Sequence, residues 1–238
     1  MEVIKKLQDL IDKSNYIVFF GGAGVSTESG IKDFRGKNGL YKEKSKIPPE
    51  YMLSHTCLIN DTDLFFDYYR KNMNLLERVP NIAHKYLTKL EQSGKLKAII
   101  TQNIDGLHQK AGSKNVIELH GTIYKNYCMN CGKNYSSDYI FKSDGIPRCS
   151  CGGVVRPDVV LYEESLGESY SKALDFIRKA DLLIVAGTSL TVEPASSMIR
   201  FFTGKSLVII NIDKTPYDNI ADLAINKPLG EVCSSLKN

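Results

Sequence analysis

Val3, Ile4, Leu7, Leu10 and Ile11 recur at helical spacing, with Lys and Asp between them, so the chain should open on an amphipathic helix. The pattern then changes. Tyr16-Ile17-Val18-Phe19-Phe20 is a short continuous apolar run that ends at Gly21-Gly22-Ala23-Gly24. Leu96-Lys97-Ala98-Ile99-Ile100 leads into Thr101-Gln102-Asn103-Ile104-Asp105. Leu182-Leu183-Ile184-Val185-Ala186 leads into Gly187-Thr188-Ser189, and Leu207-Val208-Ile209-Ile210 into Asn211-Ile212-Asp213. Strands apolar on both faces belong to a parallel sheet covered by helices. Each run hands over to small or polar residues at its C-terminal end, where open α/β sheets bind ligands. Residues 82–90 and 170–177 carry the helical period between strands, and the alternation predicts a Rossmann-like α/β domain.

Two segments break that alternation. Residues 37–75 are rich in Lys, Tyr, Pro and Phe and turn helical in their later part. Residues 122–155 hold four Cys, several Gly and little periodicity. They are expected to form a small inserted domain, a helical module plus a four-cysteine module. Residues 1–36, 76–121 and 156–238 would then make the main domain. No internal repeat or low-complexity tract is present.

Composition narrows the function classes. A chain of 238 residues supports one sizeable core, and 42% hydrophobic with 24% charged residues is ordinary for a globular protein. The net charge of +4 is scattered rather than gathered in the basic stripe of a nucleic-acid binder, so no nucleic-acid partner is expected. The N-terminus shows no charged, apolar and small-residue succession of a signal peptide. No apolar run approaches the roughly 20 residues of a membrane span, so no membrane association is expected. The expectation is a cytoplasmic protein, a monomer since nothing demands an oligomer, whose six Cys serve as metal ligands or buried thiols.

Cys128 and Cys131 are spaced C-x-x-C, and Cys149 and Cys151 C-x-C after 17 intervening residues. Two short pairs can place four thiolates tetrahedrally round one zinc ion, and a closed four-thiolate site is structural. Gly132, Gly152 and Gly153 would allow tight turns beside the ligands. Two disulfides or four free thiols are the bland alternatives. A zinc ribbon that binds nucleic acid or protein would carry the same pairs, so the metal alone names no function.

The turn Gly22-Ala23-Gly24 after a strand could bring backbone N–H groups up to a pyrophosphate. It departs from the dehydrogenase fingerprint, because Thr27 stands where the third Gly belongs. No acidic residue follows a second strand about 20 residues on to hold a ribose. Dinucleotide binding is therefore compatible with the turn, and hydride transfer is disfavoured.

At this point the motifs become specific. Gly22-Ala23-Gly24-Val25-Ser26 with Ser29-Gly30-Ile31-Lys32-Asp33-Phe34-Arg35 resembles the cofactor loop of the sirtuin family. Thr101-Gln102-Asn103-Ile104-Asp105-Gly106-Leu107-His108 and Glu118-Leu119-His120-Gly121 are similar to its second and third signatures. Gly187-Thr188-Ser189-Leu190 and Asn211-Ile212-Asp213 resemble its later cofactor-binding strand ends. The motifs stand in family order over residues 20–233.

The resemblance implies an NAD-dependent protein-lysine deacetylase. Such an enzyme would transfer the acetyl group of acetyl-lysine to ADP-ribose and release nicotinamide and O-acetyl-ADP-ribose. It implies NAD as co-substrate, one structural zinc ion, and acetylated lysine in proteins or peptides as partner. It assigns His120 as general base, a role its ordinary pKa near 6.5 suits. Asp105 would orient the nicotinamide carboxamide, and Asn103 and Gln102 would hold ribose hydroxyls or a water. Phe34 would keep water from the sugar carbon, and Arg35 would meet a phosphate or order the loop. Gly22, Ala23, Gly24, Thr27, Ile104, Gly187 and Ser189 would line the dinucleotide. Thr188, Asn211, Ile212, Asp213 and the backbone of Cys233 would hold its adenosine half. His55, His84 and His108 are read as structural.

Arg156-Pro157-Asp158-Val159-Val160-Leu161-Tyr162-Glu163 resembles the segment on which a substrate peptide adds as a strand, with Val159, Val160, Leu161 and Tyr162 as its contacts. Glu163 stands where many relatives have Gly, which changes the rim. Relatives that remove succinyl or malonyl groups carry a Tyr and an Arg three residues apart. Here Phe66 and Tyr69 occupy those places, and a pocket without a cation leaves an acyl carboxylate unpaired. An uncharged acyl group is therefore expected, unless neighbouring Arg70 reaches the pocket. The rival readings are a mono-ADP-ribosyltransferase and a non-enzymatic zinc-ribbon binding module.

Overall fold

The computed structural model describes residues 2–36, 39–42 and 46–237. The expected start of the small domain at residue 37, and the ends of the main domain at 1 and 238, lie outside the described residues.

Helix α1 (Glu2–Lys13) buries Leu7 and Ile11, on the face that the periodicity marks. Strand β1 (Ile17–Gly21) follows and is buried at every position. Three helices come next: α2 (Pro49–Met52), α3 (His55–Asn60) and α4 (Thr62–Met73). Helix α5 (Ile82–Gln92), strand β2 (Leu96–Thr101), the single turn α6 (Leu107–Lys110) and strand β3 (Val116–Glu118) return the chain to the main sheet. Then come β4 (Gly121–Cys128), β5 (Asn134–Tyr135), α7 (Ser137–Phe141) and β6 (Val155–Val159). The chain closes with α8 (Glu168–Lys179), β7 (Leu182–Ala186), β8 (Ser206–Ile210), β9 (Leu223–Ile225) and α9 (Leu229–Ser235).

The main sheet has six strands in the order β3-β2-β1-β7-β8-β9, and every pairing is parallel. Its two halves run outward in opposite directions from the neighbours β1 and β7. That reversal opens a crevice at the carboxyl ends of the central strands. Alternate residues feed two cores. Phe19, Ile99 and Ile184 point to the one shared with α1, α5 and α9. Phe20, Ile100 and Val185 point to the one shared with α8. Each fully buried side chain of this size contributes about 1.5–3 kcal/mol, which fixes the strand ends that carry the crevice.

The second sheet is antiparallel, three strands in the order β5-β4-β6. Ile123, Val155, Val159 and Leu161 beside it share a third core with Phe65, Phe66 and Tyr69 of α4. The expected boundaries at 121/122 and 155/156 fall inside β4 and β6. Strands β3 and β9 run for three residues each, too short for a period to register in the sequence. Among the described residues no helix is long and apolar enough to cross a membrane.

Candidate active site and metal centre

One cavity of about 830 Å³ opens at the carboxyl ends of β1, β2, β7 and β8. It is lined by Gly22, Ala23, Gly24 and Thr27 after β1, and by Phe34 and Arg35 beyond them. Gln102, Asn103, Ile104 and Asp105 enter it after β2, and His120 from the turn before β4. Gly187, Thr188 and Ser189 line it after β7, and Asn211, Ile212 and Asp213 after β8. Val159, Val160, Leu161 and Tyr162 form its other wall. Of the residues singled out for NAD or peptide, Cys233 is not among those lining the cavity. Its thiol lies in the first core, and burial pushes its pKa up to about 12. Leu229 and Pro228, just before it, face the cavity instead.

Two glycine turns meet at the crevice floor. The Gly24 N–H donates to the Gly187 carbonyl at 2.8 Å, and Gly22 N–H to the Ala186 carbonyl at 3.2 Å. A Cβ on Gly24 would lie 2.7 Å from Gly187 Cα, and one on Gly187 would lie 2.4 Å from Val25 N. Gly187 also has φ of 60°, a conformation that favours glycine. The backbone N–H groups of Ala23, Thr188 and Ser189 find no acceptor among the described residues. Such convergent free donors suit a pyrophosphate.

After β2 the chain builds a buried polar network. Asp105 Oδ2 accepts from the Ser26 hydroxyl at 2.7 Å, and Oδ1 from Leu107 N–H at 2.9 Å. Asn103 Nδ2 donates to Ser26 Oγ at 3.1 Å. Burial raises the Asp105 pKa, and these hydrogen bonds pull the other way. Each carboxylate oxygen keeps a further lone pair for a ligand donor. Gln102 Nε2 donates to Thr188 Oγ1 at 3.2 Å, tying the ends of β2 and β7 together. Ser26, fully buried at the centre of this network, was not singled out beforehand; its place in the Gly22–Ser26 motif was the available signal. His84 is buried behind it, with Nε2 at 3.5 Å from Ser26 Oγ and burial lowering its pKa to about 4.

His120 Nδ1 lies 2.9 Å from the Gln102 carbonyl. A carbonyl only accepts, so the proton sits on Nδ1 and the lone pair on Nε2. Burial lowers the His120 pKa, and the bond to Gln102 opposes that shift. The ring is therefore neutral at pH 7. Its carbonyl accepts from Val160 N–H at 2.9 Å, which fixes the histidine to the wall formed by Val159, Val160, Leu161 and Tyr162. His55 is exposed beside Glu164, and His108 is buried beneath the site with no hydrogen-bond partner for either ring nitrogen among the described residues.

That wall is held from behind. Arg156 Nη2 donates to Glu164 Oε2 at 3.0 Å and to the Val159 carbonyl at 2.8 Å. Burial would raise the Glu164 pKa, but Arg156, Leu161 N–H and His55 outweigh it and hold it at about 2. Glu163, the departure noted in the sequence, adopts φ of 75°. Its carboxylate accepts from Thr56 N–H at 2.9 Å and the Thr56 hydroxyl at 2.7 Å, so the rim is pinned to α3 where Gly would leave it free.

At the inner end, Tyr69 lines the cavity. Its ring stacks between Phe65 and Phe141, and its buried hydroxyl has no partner among the described residues. Phe66 is fully buried in the third core. Arg70 turns away, donating to the Gly145 carbonyl at 2.8 Å with its guanidinium 5.6 Å over the Phe66 ring.

The sulfurs of Cys128, Cys131, Cys149 and Cys151 all lie within 4.8 Å of one another. Cys128 and Cys151 approach to 3.5 Å, and Cys131 and Cys149 to 3.6 Å. A disulfide requires about 2.05 Å, whereas zinc–sulfur bonds of about 2.3 Å give a tetrahedron with edges near 3.8 Å. The arrangement fits a four-thiolate zinc ion and excludes two disulfides. None of the four lines the cavity, as befits a structural metal.

Residues 22–194 match the Sir2 family. The chain belongs to that family. An NAD-dependent protein deacetylase of Clostridium acetobutylicum is 54% identical over 241 residues, covering 99% of this chain and 98% of the relative. One of Cutibacterium acnes, with the same description, is 51% identical over 98% of this chain and 97% of its own length. Among solved structures, a Sir2 histidine-to-alanine variant with deacetylated p53 peptide and 3′-O-acetyl ADP-ribose aligns with TM-score 0.91. It is 38% identical and covers 98% of this chain and 96% of its own. A Sir2–p53 peptide–NAD+ complex aligns at 0.88 with 37% identity over 97% and 95%.

Proposed function

We propose that this Sir2 protein is an NAD-dependent protein-lysine deacetylase that releases nicotinamide and O-acetyl-ADP-ribose. The observation that carries the reading is one continuous cavity. It joins the glycine turns, the Asp105 network and a neutral His120 to a wall suited to an extended peptide.

The free N–H groups of Ala23, Thr188 and Ser189 would receive the pyrophosphate of NAD. Asn211, Ile212 and Asp213 would hold the adenosine. Asp105, held rigid by Ser26 and Leu107 N–H, would accept from the nicotinamide carboxamide and orient the ring for departure. Asn103 and Gln102 would engage ribose hydroxyls. The acetyl oxygen would bond to the sugar carbon as nicotinamide leaves. His120 Nε2 would then take the proton of the ribose hydroxyl that attacks the acyl carbon. The zinc ion supplies no chemistry; its four thiolates would hold β4 to the residues before β6.

Phe66 and Tyr69 place no cation at the positions where succinyl-removing relatives carry their Tyr and Arg, and Arg70 is committed to Gly145. Acetyl and other uncharged acyl groups should therefore turn over faster than succinyl, and faster turnover of a succinyl-lysine peptide would sink that preference. That His120 and the peptide wall share one cavity also favours a deacetylase over a mono-ADP-ribosyltransferase. Mass spectrometry of the products from NAD and an acetylated peptide tests the reaction. Equal amounts of nicotinamide and O-acetyl-ADP-ribose are expected, and ADP-ribose attached to protein would overturn the assignment.

A further inference from the structure

The cavity rim holds a contact that the roles above leave unused: the Tyr41 and Tyr162 hydroxyls are hydrogen-bonded to each other. Tyr41 is built onto the Phe34 loop. Its N–H donates to the Phe34 carbonyl at 2.9 Å, and Leu40 N–H to the Asp33 carbonyl at 2.9 Å. Its ring meets Phe34 edge-on, with centroids 5.5 Å apart and planes at 67°. The Arg35 guanidinium lies 4.9 Å over the same ring. Gly39 makes this fold possible, since a Cβ there would lie 2.6 Å from the Phe34 backbone.

Tyr162 is anchored on the other side. Its N–H donates to the Leu53 carbonyl at 3.1 Å, and its carbonyl accepts from His55 N–H at 3.0 Å. The phenol is thus presented from a backbone fixed in both directions, whereas the Phe34 side chain, which has no polar atom, is placed by ring packing against Tyr41. All three aromatic rings pack against the third core.

We propose that Tyr162 is a positioning residue that acts through Tyr41 to hold the Phe34 ring over the sugar carbon losing nicotinamide. The proposal rests on the deacetylase reading and adds a job to the peptide wall: the segment that receives the substrate also sets the water shield. The competing step is simple. If water reaches the carbon, its oxygen bonds there as the carbon–nitrogen bond breaks. Nicotinamide leaves with the bonding pair, and a water proton passes to solvent. The product is unacylated ADP-ribose, and acetyl-lysine is left intact.

The test is the product ratio. Wild-type protein, Tyr162→Phe, Tyr41→Phe and the double variant are each given NAD and an acetylated peptide. Nicotinamide, O-acetyl-ADP-ribose and unacylated ADP-ribose are then quantified by mass spectrometry. Phe keeps the ring and its packing, and matched melting temperatures check the fold. Each single variant should raise unacylated ADP-ribose per nicotinamide about fivefold, the scale of one lost neutral hydrogen bond. Because both hydroxyls make the same bond, the double variant should leak no more than either single one. A global loss of rate would not move this ratio. An unchanged ratio in either single variant, or a double variant equal to the product of the two, would overturn the proposal. Wild-type protein that releases no nicotinamide at all would instead overturn the deacetylase reading, and the proposal with it.

Discussion

In β1 and β7 every residue is buried and apolar or small, while in the three-stranded sheet β5 contributes two residues and β4 mixes buried, half-buried and exposed positions without a regular period. The first region orders itself by removing side chains from water on both faces. The second has two of its cysteines exposed at one tip, and its packing alone does not account for how that tip is held. The comparison teaches a division of labour. Hydrophobic burial positions the strand ends that line the cavity, and four thiolates would position the strands that lead to His120 and Val159 in the same cavity.

Removing the metal should separate the two regions most sharply. A strong chelator, or Cys131→Ser, should release one zinc ion per chain and forfeit stabilisation on the order of 10 kcal/mol in the metal module. Hydrogen exchange should then quicken through β4, β5 and β6 while β1 and β7 stay protected. Unaltered protection of β4 after metal loss would break the division. His120→Ala comes next, with deacetylation falling about a thousandfold and zinc content unchanged; a rate within tenfold of wild type would remove the proposed base. Leu183→Ala strikes the other region. It should cost about 3 kcal/mol through a lost side chain and the cavity left behind, seen as a lower urea midpoint with zinc retained.

The smallest effect is on pH. Burial lowers the His120 pKa, so kcat/KM should hold below pH 6.5 before falling about tenfold per unit as the base form is lost. Stability has a matching sign. His84, His108 and His120 all have folded pKa values below the unfolded one, so protonation favours the unfolded chain. Stability is intact above about pH 6.5 and is lost as pH falls from there toward about 4, the folded value of His84. An acid limb centred above pH 6.5 would show that His120 is not the group titrating.

The two regions also differed in how far the sequence disclosed them. The four short apolar runs announced β1, β2, β7 and β8 because burial on both faces leaves a nearly continuous signature. The polar residues that follow them announced the cavity. β4 and β6 were not legible, since what aligns them is pairing between distant segments, with the four cysteines gathered at one tip. Ser26 illustrates the limit at the site. A serine in a glycine turn reads as a turn residue until Asp105 and Asn103, far along the chain, are brought to its hydroxyl. Arg70 could not be placed from spacing, because the carbonyl that claims it, Gly145, belongs to another segment.

The meeting of Gly24 and Gly187 has an evolutionary corollary. An obstructed side chain can usually be rescued by trimming its neighbour, but here the obstacle on each side is the main chain itself, which no substitution shortens. Neither position can change first, and no second change can compensate. The two residues are locked as a pair, and descendants of this chain that alter either one must abandon the crossing on which the dinucleotide crevice is built.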